Sequence, residues 1–570
     1  MPYYSRLQWQ NGRSALWQFL GLIAAWLYVI ALHWDNDGLW FQGDAARHAA
    51  NGLFWWDFLM SLPVNPVEFA LSYYARYPVI HPTAYPPLFY VVEGFLFSVL
   101  GPSSYIGKGL VSAFALTGGV YLMVWLRRWV APEAGWGGLL LMLQPGVISW
   151  SNAVMLNVPS MAMGIAALYH TRRWIESPGS RHLYWAGCFA AGGLLIYFHT
   201  AVVVPIMLVW ILAERRSVIV RDRRIWVILL LSFALLLPLA FIVKQWAPTQ
   251  LTTVFPPSGE LWNPDRWIYY LAQMRRIVVP ITLFLGLLGI VFAIWTKRWR
   301  KELKYLFIWS GLCYVLFSSL GAREPRYILL LIPPSIILAV IGIVALSHWW
   351  SAIFHRQPVS VFIMLLGLAT VFHVSMAPLV RFPQIEGFRE VVAFLEEVAP
   401  RGRFFYDGKY DGIFSFYVRS RDPEFQRGVV LGDKLLYSVS LLTKGSLREY
   451  VNSPSDVPRV LQEKCGCEWV AIEKRGASDW IPAASYLREA LRGPEFQYVK
   501  SFPIRAPEPT RIDVYRFLPA MTVPEELELP FPNLGVGSKF KASPATRSRR
   551  AERTDSRGAS PERQRAKGVD

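Results

Sequence analysis

The sequence predicts a polytopic α-helical membrane protein, a bundle of about eleven spans followed by a small α/β domain. Three observations predict it. Apolar runs of spanning length recur from residue 15 to residue 380. Basic residues gather in every second loop between them. Beyond residue 380 the pattern changes to charge, aromatics and alternating apolar residues, as in a domain that faces water. Composition agrees: 54% of residues are hydrophobic and 17% charged, against roughly 25% charged in soluble domains.

A bilayer core takes about 20 mostly apolar residues in a helix. Residues 15–33, 105–126, 134–151, 154–171, 183–198, 199–213, 225–244, 278–296, 304–320, 326–348 and 358–380 meet or approach that need. The first run follows Arg6 and Arg13 and leads into Trp34-Asp35-Asn36-Asp37, with no small-residue cleavage site. It reads as a retained span rather than a signal peptide. Arg127/Arg128, Arg172/Arg173/Arg181, Arg215/Arg216/Arg221/Arg223/Arg224, Lys297/Arg298/Arg300/Lys301/Lys304 and His355/Arg356 then mark alternate loops as cytoplasmic. The apolar stretch 86–100 would break this parity if it crossed. It is short, opens with Pro86-Pro87 and carries Glu93, and it is read as a juxtamembrane helix on the outer face. The count rises to twelve or thirteen only if short runs of this kind also cross.

The expected organisation is a transmembrane domain over 1–380 with a long outer loop at 34–104, an extracytoplasmic α/β domain over 381–520, and a basic disordered tail over 521–570. Strands are expected at Arg403–Tyr406 and Glu468–Ile472, and a helix at Glu390–Val398. The expected location is the plasma (inner) membrane, multi-pass, with the N-terminus cytoplasmic. The net charge is +18. Because the basic residues flank apolar spans, they point to membrane lipids and not to nucleic acid. Cys465 and Cys467 are too close in sequence for an easy mutual disulfide and are assigned no chemistry.

The polar residues that stand out lie in outer loops. Asp44 follows the first span at the start of an amphipathic helix that also carries His48. A carboxylate there can take a proton from a hydroxyl or hold a divalent cation such as Mg or Mn; it is also an ordinary helix cap. His81 and Tyr85 close the loop, either lining a site or joining an interfacial aromatic belt. Gly321-Ala322-Arg323-Glu324-Pro325-Arg326-Tyr327 places two arginines at an outer boundary, against the usual charge rule. A guanidinium's planar fork suits a phosphate. His199 lies between two short apolar runs on the same side.

Gly43-Asp44, Tyr85-Pro86-Pro87-Leu88-Phe89-Tyr90, Met155-Leu156-Asn157-Val158-Pro159 and Arg323-Glu324-Pro325-Arg326-Tyr327 occur in that order over residues 15–380. This ordered set resembles the GT-C superfamily of polyprenyl-phosphate-sugar glycosyltransferases. The likeness is to the protein O-mannosyltransferase and aminoarabinose transferase group, including the RgtA/B/C/D-like bacterial domain. The resemblance implies a membrane glycosyltransferase that moves a sugar from a polyprenyl-phosphate carrier to a hydroxyl of a lipid, glycan or protein acceptor, with inversion. It implies Asp44 as the catalytic carboxylate and Arg323, Arg326 and His199 as the lipid-phosphate ligands. His48, His81, Tyr85, Asn157 and Tyr327 would line the substrate site. This chain departs from the family's pattern at four places: Ala45 and Asn157 where acids are common, and Tyr85 and His199 where lysine is common. Asp35, Asp37, Asp57 and Glu68 are nearby carboxylates that could substitute. Readings from other classes are a transporter or a non-catalytic lipid-binding scaffold. No internal repeat supports the transporter.

Overall fold

The structure, a computed structural model, describes residues 11–34, 37–40, 44–246, 260–440, 446–474 and 481–520, with two short strands beyond them. Asp35, Gly43, most of the expected tail and part of the loop 245–277 lie outside the described residues, as do the side chains of Arg215, Arg216 and Arg221. The chain divides into two compact units. One takes in the described residues up to Ala49, His81–Glu386 and Arg505–Glu508; the other takes in Ala50–Ile80, Gly387–Ile504 and the described residues from Pro509 onward.

The first unit is a helical bundle. Helix α1 (Asn11–His33) leads into a two-residue strand, β1 (Leu39–Trp40), which pairs antiparallel with β2 (Gln384–Ile385). Helix α2 (Asp44–Ser61) starts directly after it. Helix α3 (Pro66–Arg76), capped by Asn65, belongs to the second unit, and helices α4 (Leu88–Leu100) and α5 (Ser104–Trp129) of the first unit follow it in the chain. Among the described residues five helices are long and apolar enough to cross a bilayer, six if the bent pair Pro264–Ile277 and Pro280–Thr296 counts as one span. The sequence count of about eleven is larger because it scored apolar runs. The run 134–151 is no single helix: it breaks into a 3-10 turn (Pro132–Gly138) and two short helices (Leu139–Met142, Pro145–Ser151). The helices His182–Ile196 and Phe198–Glu214 are shorter than a full span. The 13-residue helix α4 rises about 20 Å, less than the roughly 30 Å hydrocarbon core.

Close approach of helices holds the bundle. A Cβ at Gly289 would meet the Leu338 carbonyl, and one at Gly342 would meet the Leu285 carbonyl. Glycine at both places lets Pro280–Thr296 and Ile332–Phe354 pack backbone to backbone. Elsewhere Arg172 and Glu302 form a buried bidentate ion pair, and the Arg172 guanidinium lies 4.0 Å from the centre of the Trp129 ring.

The second unit centres on a five-stranded sheet of order β4-β3-β7-β9-β8. Strand β3 (Gly402–Asp407) runs parallel to β4 (Arg427–Leu431) and β7 (Trp469–Glu473). Strands β8 (Phe496–Ile504) and β9 (Thr510–Phe517) complete it antiparallel. The expected strands and helix appear as β3, β7 and Phe388–Val398. Between β4 and β7 lies a hairpin of β5 (Tyr437–Ser440) and β6 (Ser446–Glu449). The tail expected to be without structure contains one antiparallel pair, Leu527–Leu529 with Phe540–Ala542. Residues 50–80 group with this sheet, and Ala75 lies in its apolar core beside Phe405 and Val470.

Cys465 and Cys467 are disulfide-bonded, contrary to the sequence expectation. Gly466 between them adopts φ +63, a left-handed turn open to glycine, and brings the two Cα atoms to 5.2 Å.

Glu473, at the end of β7, is wholly buried. Burial pushes its carboxyl up to about 7, against the pull of the Lys409 N–H, the Tyr406 hydroxyl and the Tyr410 N–H, which all donate to it. The ordinary value is 4.5, so the unfolded chain releases this proton first as pH rises. The stability tied to Glu473 is whole below 4.5 and lost as pH climbs through about 7. At about 1.4 kcal/mol per unit, roughly 3 kcal/mol disappears across that window. The unfolding midpoint of the purified protein should therefore fall between about pH 5 and pH 7, and Glu473→Leu should flatten the fall. A wild-type midpoint indifferent to pH in that range would contradict the assignment.

Candidate active site

The site grows from three chain turns of the first unit. The β1–β2 pairing sets the start of α2, whose first residue is Asp44. A 3-10 turn, Pro325–Leu331, carries Arg326 and Tyr327 and is opened by Pro325, which cannot extend a preceding helix. A second 3-10 turn, Phe198–Val202, carries His199. Asn157 is the first residue of the helix Asn157–Glu176.

Asp44 and Arg326 lie 282 residues apart and form a direct ion pair, with Arg326 Nη2 donating to Asp44 Oδ2 at 2.9 Å. The Arg326 side chain is 7% exposed and that of Asp44 27%. The guanidinium also lies over Trp40 at 5.1 Å, Trp150 at 5.6 Å and Tyr327 at 5.7 Å. Burial pushes the Asp44 carboxyl up, but Arg326, His48 and Arg47 together hold it below its usual value. His48 sits one turn along the same helix, and its Nδ1 is 2.7 Å from the Tyr90 hydroxyl. Burial drives its imidazole down to about 4 despite the Asp44 charge, so it is neutral at physiological pH. Tyr85 packs edge-on to His48 at 4.8 Å, and burial followed by the Asp44 charge raises its phenol.

Behind Arg326 a narrow pocket is lined by Asn157, Tyr197, His199, Arg326 and Tyr327, with Ser160 at its wall. His199 is flanked by Tyr327 at 4.2 Å and Tyr197 at 4.3 Å. The Ser160 and Thr200 hydroxyls are committed to each other at 2.7 Å.

The structure thus brings Asp44, His48 and Tyr85 around Arg326, and gathers Asn157, His199 and Tyr327 in the pocket. Arg323 lies elsewhere: its guanidinium faces the Tyr269 ring at 5.5 Å and does not line the pocket. His81 occupies the turn before α4, where its carbonyl accepts the Ala84 N–H. Asp57 pairs with Arg419 in the second unit, and Asn65, the α3 cap, donates to Glu68, so neither stands in for a second acid beside Asp44. Sequence reasoning passed over Tyr90, Tyr197, Trp40 and Trp150. Tyr90 closes the motif Tyr85-Pro86-Pro87-Leu88-Phe89-Tyr90, but nothing in an apolar run distinguishes a ring that packs on a guanidinium from one that packs on leucine.

A divalent cation does not fit this donor set. The one carboxylate present is already neutralised by Arg326, and among the described residues no three His, Cys, Asp or Glu groups converge.

The family described as dolichyl-phosphate-mannose-protein mannosyltransferase matches residues 85–242. No curated protein matches the chain. Among solved structures, apo ArnT from Cupriavidus metallidurans superposes with a TM-score of 0.56 at 15% identity, covering 88% of this chain and 97% of that one. Its form bound to undecaprenyl phosphate gives 0.55 at 14% identity, over 87% and 98%. The oligosaccharyltransferase AglB from Archaeoglobus fulgidus, in complex with an inhibitory peptide and a dolichol-phosphate, gives 0.52 at 12% identity, over 94% and 77%. These likenesses set the class: a polytopic membrane protein with the GT-C glycosyltransferase fold.

Proposed function

We propose that this protein is a membrane glycosyltransferase. It takes a sugar from a polyprenyl-phosphate carrier and places it on an acceptor hydroxyl at the extracytoplasmic face, with inversion. The observation that carries the reading is the ion pair of Asp44 and Arg326 beside a buried polar pocket. One group can accept a proton and the other can receive a phosphate, within one hydrogen bond of each other. The undecaprenyl-phosphate and dolichol-phosphate named for the superposed structures support the donor class.

The chemistry follows from charge. The acceptor oxygen attacks the anomeric carbon as the bond from that carbon to the phosphate oxygen breaks. The acceptor's proton passes to Asp44. Negative charge grows on the departing phosphate, where the Arg326 fork meets it in a dry site. A single displacement inverts the anomeric centre. Neutral His48, held by Tyr90, keeps the Asp44 side of the helix polar without adding a cation to Arg326 and Arg47.

The Cys465–Cys467 disulfide supports an oxidising surrounding for the second unit. That agrees with an extracytoplasmic C-terminal unit, a cytoplasmic N-terminus and a plasma-membrane location.

The test supplies purified protein with radiolabelled polyprenyl-phosphate sugars and with lipid, glycan and peptide acceptors. Wild type should transfer label to at least one acceptor class. Asp44→Ala should lose about 10²–10⁴-fold, the usual contribution of a positioned base. Absence of transfer from every donor would sink the proposal, and undiminished transfer by Asp44→Ala would remove Asp44 from it.

A further inference from the structure

In the Asp44–Arg326 pair the two partners are held unequally. The Arg326 guanidinium is nearly buried among Trp40, Trp150 and Tyr327, and its Nη1 donates to the Met155 sulfur at 3.9 Å. Trp40 and Trp150 are fixed in turn, edge to face at 4.9 Å, with Phe382 against both. Asp44 is partly exposed at the first turn of its helix, and its other oxygen, Oδ1, already lies 3.9 Å from Arg47 Nη1. The cation is caged; the carboxylate has somewhere else to turn.

The pair is also incomplete. A guanidinium binds an oxyanion bidentately along one of two edges, Nε with Nη2 or Nη1 with Nη2. Both edges include Nη2, the nitrogen that donates to Asp44 at 2.9 Å. Nε is buried and has no hydrogen-bond partner among the described residues. Asp44 therefore blocks both edges while filling neither. The pocket beside the guanidinium offers no way round, because it has room for about one water and not for a phosphate. An incoming phosphate gains two parallel charge-assisted bonds where the carboxylate has one, and two anions that crowd one cation repel each other.

We propose that the phosphate of the lipid donor displaces Asp44 from Arg326, so that the donor itself unmasks the base. This rests on the donor reading given above. Before the donor binds, Asp44 is occupied by the guanidinium, and an acceptor hydroxyl meets no available base. Once the phosphate takes Nη2 and Nε, Asp44 Oδ2 is released and the carboxylate turns toward Arg47, whose charge also favours its ionised form. The order of events is then compulsory: the donor seats first, and the acceptor loses its proton second. Internal competition has a measurable consequence. A ligand's apparent affinity is lowered by the fraction of protein in which its seat is already taken.

The experiment titrates sugar-free undecaprenyl phosphate into full-length protein in nanodiscs. Asp44→Asn keeps the shape and removes the charge. It should bind this lipid about 10-fold more tightly than wild type, although its sugar transfer falls as in Asp44→Ala. In an Arg326→Ala background the same change should alter affinity by less than about 2-fold, because no cation is left to compete for. A structure of wild type with undecaprenyl phosphate should show Asp44 Oδ2 beyond hydrogen-bond distance of Arg326 Nη2. Affinity that is unchanged or weaker in Asp44→Asn would overturn the proposal. Equal tightening in both backgrounds would overturn it too, since that is plain charge repulsion, and so would a lipid-bound structure that keeps the ion pair. Should Arg326→Ala bind too little lipid to titrate, the contact in that structure decides alone. If undecaprenyl phosphate does not bind wild type at all, the donor reading itself falls and this inference with it.

Discussion

Arg326→Ala is expected to lower sugar transfer by about 10³-fold or more, since removal of one preorganised donor to developing negative charge typically takes 10²–10³ and this residue is also the counter-ion of Asp44. Arg326→Lys should recover only part of the loss. An ammonium keeps the charge but has no planar fork and does not lie as flat against Trp40 and Trp150. The pH profile gives a second reading of the same change. In wild type Arg326 helps hold the Asp44 carboxyl below its usual value, against burial. Without that cation burial acts with less opposition, and the carboxyl moves upward. A base must be deprotonated to act, so the acidic limb of the rate profile should shift to higher pH in Arg326→Ala, and less in the lysine variant, which keeps the charge. An unmoved limb would separate Asp44 from the rate. Sugar-free lipid binding that is unchanged in Arg326→Ala would separate Arg326 from the phosphate.

The second large effect is expected in the other unit, on stability. Arg419 is 5% exposed and ties residues 50–80 to the sheet. It pairs with Asp57, donates to the Tyr73 hydroxyl at 2.8 Å and to the Asp422 carbonyl at 2.8 Å, and lies 4.3 Å from the Phe425 ring centre. The Tyr77 hydroxyl adds a bond to Asp422 at 2.6 Å. Arg419→Ala leaves the Asp57 carboxylate without its cation, and breaking a buried pair in this way destabilises by about 3–5 kcal/mol. Thermal unfolding should show it, and limited proteolysis should cut first within 50–80. Arg419→Met combined with Asp57→Leu should lose much less than the sum of the single changes, because no charge is then stranded. Additive losses would mean that the pair is not the source of the stability.

These two arginines show what could and could not be read along the chain. Arg326 stood out because it breaks the charge rule at an outer membrane boundary, so a one-dimensional pattern was enough to mark it. Arg419 lies within Phe416-Tyr417-Val418-Arg419-Ser420, where nothing distinguishes it from a solvent-facing residue of an amphipathic helix. Its partner Asp57 was visible only as one of several carboxylates in a loop. The disulfide was missed for a related reason: spacing argues against joining Cys465 to Cys467, and only the left-handed Gly466 removes the objection. At the apolar run 134–151, Pro132 and Pro145 open new helical turns, and hydropathy does not register a helix broken in this way.

By itself the sequence determined that this is a many-helix membrane protein whose C-terminal region mixes helices and strands. Apolar content, loop charge and strand alternation are local properties that read out directly. It also marked Asp44, Arg326 and His199 as polar groups in outer loops, and the family resemblance added Asn157. The tertiary structure alone decided which of these meet. It set Arg326 on Asp44 across 282 residues, turned Arg323 toward Tyr269, and gathered Asn157, His199 and Tyr327 around one pocket with Arg326. The physical reason is that hydrogen bonds and ion pairs require atoms within about 3 Å of one another, and only the packing of the bundle determines which turns come that near.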